Sequence, residues 1–388
     1  MIQVGFKLVD LTKWHAGINY YRNLFTAILT IKDRQINPLL LTGRTSSLAA
    51  TISAGQMVMK CNLFDKNRIE YILDKIQTKL FDSSCLLTRY LRANHIDIVS
   101  HSDITYKTNY CKVINWIPDF QHIHLPEMCS DREIKLRDVF FNKLIEYSDI
   151  LILSSVDAFN DLKLFKPEAA EKVRILNFVA QPSPEIYEHT DIKQLENKYH
   201  FSGKFFYLPN QFWKHKNHRV VFEAVQLLKL QNRNVLVLCS GLMDDYRNKD
   251  HVDSLLSYIK ANGLQNNIKC LGLIPFKDLC CLLRNSISVI NPSFFEGWST
   301  TVEECKSIGK SVILSDLAVH REQAAPSAVY FPPDCSEELA QILWDRWNTS
   351  DGGPEHGLEK YASENLLLRT VSYGEAYQNI VMEAYVNR

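Results

Sequence analysis

Residues 292–316 read Pro292-Ser293-Phe294-Phe295-Glu296-Gly297-Trp298-Ser299-Thr300-Thr301-Val302-Glu303-Glu304-Cys305-Lys306-Ser307-Ile308-Gly309-Lys310-Ser311-Val312-Ile313-Leu314-Ser315-Asp316. An apolar run, Ser288–Ile290, leads into this stretch, and a second, Val312–Leu314, closes it. Between them Thr300–Ile308 has helical spacing, so the segment predicts a parallel strand, a glycine-containing turn, a helix and the next strand. Ligands bind at such strand-to-helix turns in α/β proteins. Ser299 or Thr300 can cap the helix, whose free N–H groups and positive dipole end suit an anion such as a diphosphate. Glu296 before the turn and Glu304 in the helix can accept hydrogen bonds from hydroxyl groups. A second reading leaves Glu303 and Glu304 only to complement the helix dipole.

Outward from this segment, short β-rich runs alternate with amphipathic stretches along nearly the whole chain, which predicts α/β layers. Strands are expected at Gln3–Val9, Pro38–Leu41, Ile96–Ser100, Lys112–Ile117, Ile150–Leu153 and Val173–Leu176. A second set is expected at Phe205–Leu208, Val235–Cys239, Ile268–Leu271, Ser288–Ile290, Val312–Leu314 and Ala328–Phe331. Helices are expected at Gly17–Lys32, Ser83–Asn94 and Glu133–Tyr147, then Asn217–Gln231, His251–Asn262, Lys277–Leu283, Thr300–Ile308 and Ser336–Trp347. Ala180-Gln181-Pro182-Ser183-Pro184 reads as a linker, because its prolines fit neither a helix nor a central strand. The expected domains are therefore 1–180 and 203–363, with a final helix, Glu364–Val386, that no strand follows.

The 388 residues suit two domains. Lys plus Arg and Asp plus Glu are equal at 44 each, so no global field points to nucleic acid. The N-terminal run carries Lys7 and Asp10 and does not read as a secretory signal. No stretch approaches the roughly 20 apolar residues that span a bilayer. The 10 cysteines include no C-x-x-C pair, and several sit inside apolar strands. A reduced, cytoplasmic setting is the expectation.

The stretch from Pro292 to Asp316 resembles the E-x7-E segment of the retaining family-four (group 1) glycosyltransferases. His320-Arg321-Glu322, the run Ala328-Val329-Tyr330-Phe331-Pro332 and Ile268-Lys269-Cys270-Leu271-Gly272 fit the same pattern. The resemblance covers residues 203–347 and is weaker in the first half. It implies a GT-B fold, two Rossmann-like domains facing across a cleft with the C-terminal helix crossing back to the first. It also implies transfer of a sugar from a nucleotide-diphosphate donor with retention and no metal, to a saccharide or lipid-linked acceptor in bacterial surface polysaccharide synthesis. No cofactor beyond the donor substrate is implied.

Position by position, the resemblance makes Glu304 the partner of the ribose hydroxyls and Glu296 the contact of the transferred sugar. The N–H groups of Gly297, Trp298 and Ser299, with Thr300 at the helix start, would hold the diphosphate. Lys216 matches the family's phosphate-binding Lys. The family's Arg is replaced by Gln211, and Lys214 is a candidate substitute. In the first domain Gly17, within Trp14-His15-Ala16-Gly17-Ile18, stands at the family's glycine loop. Asp119 aligns with the Asp of a His-Asp pair whose His is here Pro118.

Four alternatives stay open. His122, His124 and Glu127 could be metal ligands, although neighbouring loop positions seldom converge without a further partner. The protein could bind a sugar nucleotide without catalysis, or be another GT-B enzyme such as an epimerase. The stretch Lys135–Lys143 could rest on the inner face of a membrane or lay its apolar side on the sheet.

Overall fold

The computed structural model describes residues 1–7, 15–46, 52, 54–182, 186–187 and 191–386. Trp14, Leu8 and Val9 of the expected first strand, and Ser183-Pro184 of the expected linker lie outside them. The described residues divide into two compact units. One comprises Met1–Phe120, Asp131–Ala180 and Leu367–Arg388; the other comprises Gln121–Ser130 and Gln181–Leu366.

The first unit is built from β1 (Ile2–Lys7), α1 (His15–Thr30), β2 (Ile36–Thr42), β3 (Met57–Lys60), α2 (Ile69–Phe81), α3 (Cys85–Ala93), β4 (Ile98–Ser100) and β5 (Lys112–Ile117). After a short helix of the second unit, α4 (Gln121–His124), it continues with α5 (Asp131–Glu146), β6 (Ile150–Leu153), α6 (Val156–Phe165) and β7 (Val173–Ile175). Its seven strands are all parallel, in the order β3-β2-β1-β4-β5-β6-β7. Strands covered on both faces read as continuous apolar runs, as Ile150–Leu153 does, and that is why they were legible.

The second unit holds α7 (Ile192–Tyr199), β8 (Phe206–Leu208), α8 (His218–Leu230), β9 (Val237–Cys239), α9 (His251–Ala261), β10 (Ile268–Cys270), α10 (Phe276–Asn285), β11 (Val289–Asn291), α11 (Thr300–Ile308), β12 (Val312–Ser315), α12 (Ala318–Gln323), β13 (Val329–Phe331) and α13 (Ser336–Thr349). Its parallel sheet runs β10-β9-β8-β11-β12-β13. Successive residues enter opposite cores: Phe206 and Leu208 pack with Ile290 and Ile313, whereas Phe205 and Tyr207 pack with Val289 and Val312. The period of two places one apolar layer on each face. The strand order reverses between β8 and β11, and the loops at their C-terminal ends form a topological switch point.

Several elements differ from expectation. Strand β3 was missed because its burial is partial, as suits an edge strand. Helix α2 was missed because its inward residue is Asp74, hydrogen-bonded by Ser84, while its apolar stripe faces out. Helices α6, α7 and α12 are short and gave no long periodic signal.

The terminal helix α14 (His356–Val386) starts before Glu364, its early turns held by Arg284 on Glu359 at 2.6 Å. Its later part belongs to the first unit, where Gln378 accepts from the Gln35 N–H at 2.8 Å and Glu383 pairs with Arg174. Helical spacing in the sequence puts Leu367, Tyr377, Ile380 and Val381 on one apolar side; Tyr377, Ile380 and Val381 are buried, with Tyr373 beside them, whereas Leu367 is 64% exposed. Among the described residues no helix is long and apolar enough to cross a membrane.

Candidate functional site

The β11–α11 turn is fixed from within. Ser299 has extended backbone and caps α11 by accepting the Val302 N–H at 3.4 Å. Asn291 donates to the same hydroxyl at 2.7 Å. Gly309 ends the helix at φ +82, and a Cβ there would lie 2.3 Å from the Leu358 backbone. Only glycine serves at such a position.

Facing this turn is the loop after β8. Lys214–Lys216 form a single tight turn, and Asn217 follows in the left-handed region at φ 52. The Asn217 side chain donates to Pro292 O at 3.0 Å and Pro333 O at 2.7 Å, tying the loop to the ends of β11 and β13. Phe294 N–H donates to His215 O at 2.8 Å. These bonds bring Lys216 to Glu296, Nζ to Oε1 at 2.7 Å, with both side chains largely buried. Ser293 Oγ donates to the same oxygen at 2.7 Å. Burial alone would raise the Glu296 pKa; the Lys216 charge, His320 and the hydrogen bonds from Lys216 and Ser293 together outweigh it, and the carboxyl is held down at about 2.

The two helix glutamates have different fates. Glu303 is buried, pairs with Lys306 at 3.0 Å and accepts from Gln323 at 3.2 Å. Glu304 has no hydrogen-bond or ion-pair partner among the described residues, and burial pushes its pKa up to about 7. A dipole-complementing role therefore fits neither side chain well: one is bound in the interior, and the other is an unpartnered acceptor at the site.

Other expected residues are placed as follows. Ser299, expected to offer its N–H to a diphosphate, donates it to Gln323 Oε1 at 3.0 Å, so its part is to hold the turn. Gly297 N–H has no acceptor among the described residues, and the first-turn N–H groups of Thr300 and Thr301 are those a helix start leaves open. Trp298 is half-buried beside them. Gln211 accepts the Leu242 N–H at 2.9 Å, joining the loops after β8 and β9, and supplies no charge. Gly17 is a buried residue of α1, and Asp119 is half-buried after β5; both belong to the first unit. The His124 ring lies tilted against Phe295, centroids 5.1 Å apart, and no three His, Cys, Asp or Glu side chains among the described residues converge as a metal-holding group.

Two neighbours were given no role by the sequence. Arg247 follows β9, is 6% exposed, donates to Gln121 at 3.1 Å and contacts His215 Nδ1 at 3.4 Å, with Asp245 at 3.9 Å. Nothing local in Tyr246-Arg247-Asn248 marks it, since the contact depends on α4 docking on the second unit. His320 is buried with Nδ1 on Ser315 O at 2.8 Å, which makes Nδ1 the donor and leaves Nε2 an acceptor without a partner among the described residues. Burial holds its pKa below the ordinary value, and it lies within the field of Glu296 and Lys216. A cavity of about 380 Å³ lined by Lys214, Arg219, His251 and Phe294 opens nearby but does not include Glu296 or Glu304.

Residues 191–346 match the family Glycosyl transferases group 1. They are a group 1 glycosyltransferase domain. Over 134 residues the chain is 27% identical to the O-antigen chain mannosyltransferase B of Escherichia coli, a match spanning 34% of each protein. The whole chain is similar in fold to a glycosyltransferase from Rickettsia africae, with a TM-score of 0.65, 16% identity and coverage of 99% of this chain and 97% of that one. It is also similar to Anabaena HepE in complex with UDP, with a TM-score of 0.63, 16% identity and coverage of 99% and 100%. The fold is GT-B, two parallel-sheet Rossmann-like domains and a C-terminal helix.

Proposed function

We propose that this protein transfers a sugar from a nucleotide-diphosphate donor to a saccharide or lipid-linked saccharide acceptor, with retention and without a metal, in the synthesis of a bacterial surface polysaccharide. The observation that carries the reading is the arrangement at the β8–β11 switch point: the Lys216–Glu296 pair beside an open helix start, with the unpartnered Glu304 on the same helix. The family of residues 191–346, the UDP in HepE and the O-antigen relative support it.

In the reaction the bond between the anomeric carbon and the diphosphate breaks, its electron pair staying with the diphosphate while positive charge builds on the ring; an acceptor hydroxyl oxygen bonds to that carbon, and its proton passes to the departing diphosphate. Lys216 and the N–H groups of Gly297 and Thr300 meet the developing negative charge, already positioned and partly withdrawn from water. Glu296, ionised at neutral pH, orients the sugar. Glu304 accepts from the ribose hydroxyls, which supply the partners it lacks.

One observation favours a second reading, donor binding without transfer. The position of the family's Arg is Gln211, whose side chain is engaged with Leu242. A thermal-shift screen against UDP, GDP and dTDP, followed by donor hydrolysis with the nucleotide that binds, separates the two. Ligand binding raises apparent stability by mass action. Binding with measurable hydrolysis supports transfer, binding without turnover supports the second reading, and no binding of any nucleotide overturns both.

A further inference from the structure

The cavity of about 380 Å³ beside the loop after β8 has no part in the proposed transfer. Its size lies within the range of small-molecule sites, about 300–1,000 Å³. It opens at the first turns of α8 and α9, entirely within the second unit. The tight turn Lys214–Lys216 serves both places: Lys214 lines the cavity, and Lys216 reaches Glu296.

The wall combines charges of both signs with an apolar side. Arg219 and Glu223 pair with each other at 2.6 Å, and Lys214 and Asp334 add one charge of each sign. Val220, Leu255, Phe294 and Pro333 supply the apolar side. An anion in this cavity would meet Glu223 and Asp334, and a cation would meet Lys214 and Arg219. A neutral ligand rich in hydroxyl groups meets no such conflict, because each hydroxyl both donates and accepts. His251 points to the same kind of occupant. It lines the cavity, and its Nε2 is buried with no hydrogen-bond partner among the described residues. Burial holds its pKa below the ordinary value, so the ring is mostly neutral at pH 7. A neutral ring nitrogen either accepts from a hydroxyl or donates to one. A buried polar atom left unpaired costs stability, and a hydroxyl in the cavity would remove that cost.

We propose that this cavity is a second saccharide-binding site, holding one or two units of a neutral glycan. The apolar C–H face of a sugar ring lies against Phe294 and Pro333, and its hydroxyls bond to His251 and Asp334. The site is tied to the place of transfer through the chain itself. Phe294 stands two residues before Glu296, and its N–H donates to His215 O at 2.8 Å. A filled cavity therefore steadies the two loops that bring Lys216 to Glu296. Its use, keeping a glycan on the enzyme between transfers, rests on the proposed function; the binding itself does not.

The test is saturation-transfer NMR of the full chain with maltose, lactose and mannobiose, and with glucuronate as the charged comparison. At least one neutral disaccharide is expected to bind with a Kd on the order of millimolar, and glucuronate more weakly. Ser254 lies on the wall at an exposed position of α9. Ser254→Trp is expected to fill the cavity and abolish the signal while unfolding at the wild-type temperature. His251→Ala is expected to weaken binding about threefold to tenfold, the size of one hydrogen bond, and decides alone should Ser254→Trp not fold. A wild type that binds none of the neutral sugars overturns the proposal. So does binding that Ser254→Trp or His251→Ala leaves intact, for then the sugar sits elsewhere. Tighter binding of glucuronate than of every neutral sugar overturns it too, because the cavity would then select an anion. No nucleotide or turnover enters the measurement, so its failure and the failure of the glycosyltransferase reading are separate results.

Discussion

Lys216 and Glu296, 80 residues apart in sequence, meet at 2.7 Å across the β8–β11 switch point. A cation assigned to a leaving diphosphate and an anion assigned to a sugar are thus one electrostatic unit before any substrate arrives. The pairing explains how each stays charged in a largely buried place. Taking either out of water alone is costly, and the partner with the Ser293 hydroxyl offsets that cost. It also means that neither residue acts independently.

Lys216→Ala and Glu296→Gln should each lower turnover, by on the order of a hundredfold for Lys216. Each should also destabilise the second unit by about 3–5 kcal/mol through the buried charge left behind, with a combined loss well below the sum. Urea unfolding of the single and double variants measures the coupling. Additive losses would show that the pair is not energetically real. Lys214→Ala is the control, since Lys214 is exposed and its ammonium has no partner among the described residues.

The Lys216–Glu296 pair also sets an acid limit. The folded pKa of Glu296, about 2, lies below its unfolded value. The unfolded state therefore binds the proton first, and the stabilisation is present above the ordinary carboxylate range and lost as pH falls towards 2. Glu296→Gln should flatten that part of the stability profile. An unchanged acid limb would place the titration elsewhere.

Glu304 predicts the opposite slope. Its folded pKa, raised to about 7 by burial, lies above the unfolded value. Its contribution to the unliganded protein is favourable below the ordinary carboxylate pKa and is lost as pH rises through 7. A nucleotide whose ribose donates to the carboxylate must displace that proton. Affinity should therefore climb with pH, by up to about tenfold per unit, and level off above about pH 7. Glu304→Gln should weaken binding by about 1–3 kcal/mol and abolish the climb. Calorimetry in buffers of differing ionisation enthalpy reads the proton directly, and a flat affinity from about pH 5.5 to 8 would remove Glu304 from the nucleotide site.

The sequence made legible what local pattern controls. Ile150–Leu153 and Lys112–Ile117 are strands because buried parallel strands are unbroken apolar runs, and Thr300–Ile308 is bounded by a Ser cap and a glycine stop. What stayed hidden depends on partners distant in sequence. No local signal says that the Ser299 N–H belongs to Gln323, or that Arg247 reaches Gln121. Helix α2 escaped for a different reason: its apolar face has no partner among the described residues, so a reading that sends apolar stripes to the core has nowhere to put it.

Arg247 should matter through the loops it joins. Arg247→Met removes the donors to Gln121 and His215, while Asp245 keeps the Lys214 N–H at 2.9 Å and Asn248 at 3.1 Å. A loss of about 1–3 kcal/mol in unfolding free energy is expected, of the size of hydrogen bonds to a charged group. Gln121→Ala should reproduce part of it, and the double variant should show coupling. Independent, additive effects would mean that Arg247 does not hold α4.

The terminal helix permits a paired test of opposite sign. A Cβ at Gly374 would lie 2.4 Å from Ala27 O and 2.7 Å from Ala27 C, both backbone atoms of α1 that cannot swing aside. Gly374→Ala must therefore push α14 away from α1, loosening the packing of Tyr377 on Phe6, whose rings lie 5.7 Å apart. A destabilisation of about 1–3 kcal/mol is expected, the usual range for overpacking. Gly357, in the first turns of the same helix, has no atom within 4 Å of its would-be Cβ. Gly357→Ala should stabilise by up to about 1 kcal/mol, because alanine loses less backbone entropy in a helix. Propensity alone makes both substitutions favourable, so only the contact with Ala27 separates them. If thermal unfolding shows both variants shifted upward, the close approach of α14 to α1 at Gly374 is wrong.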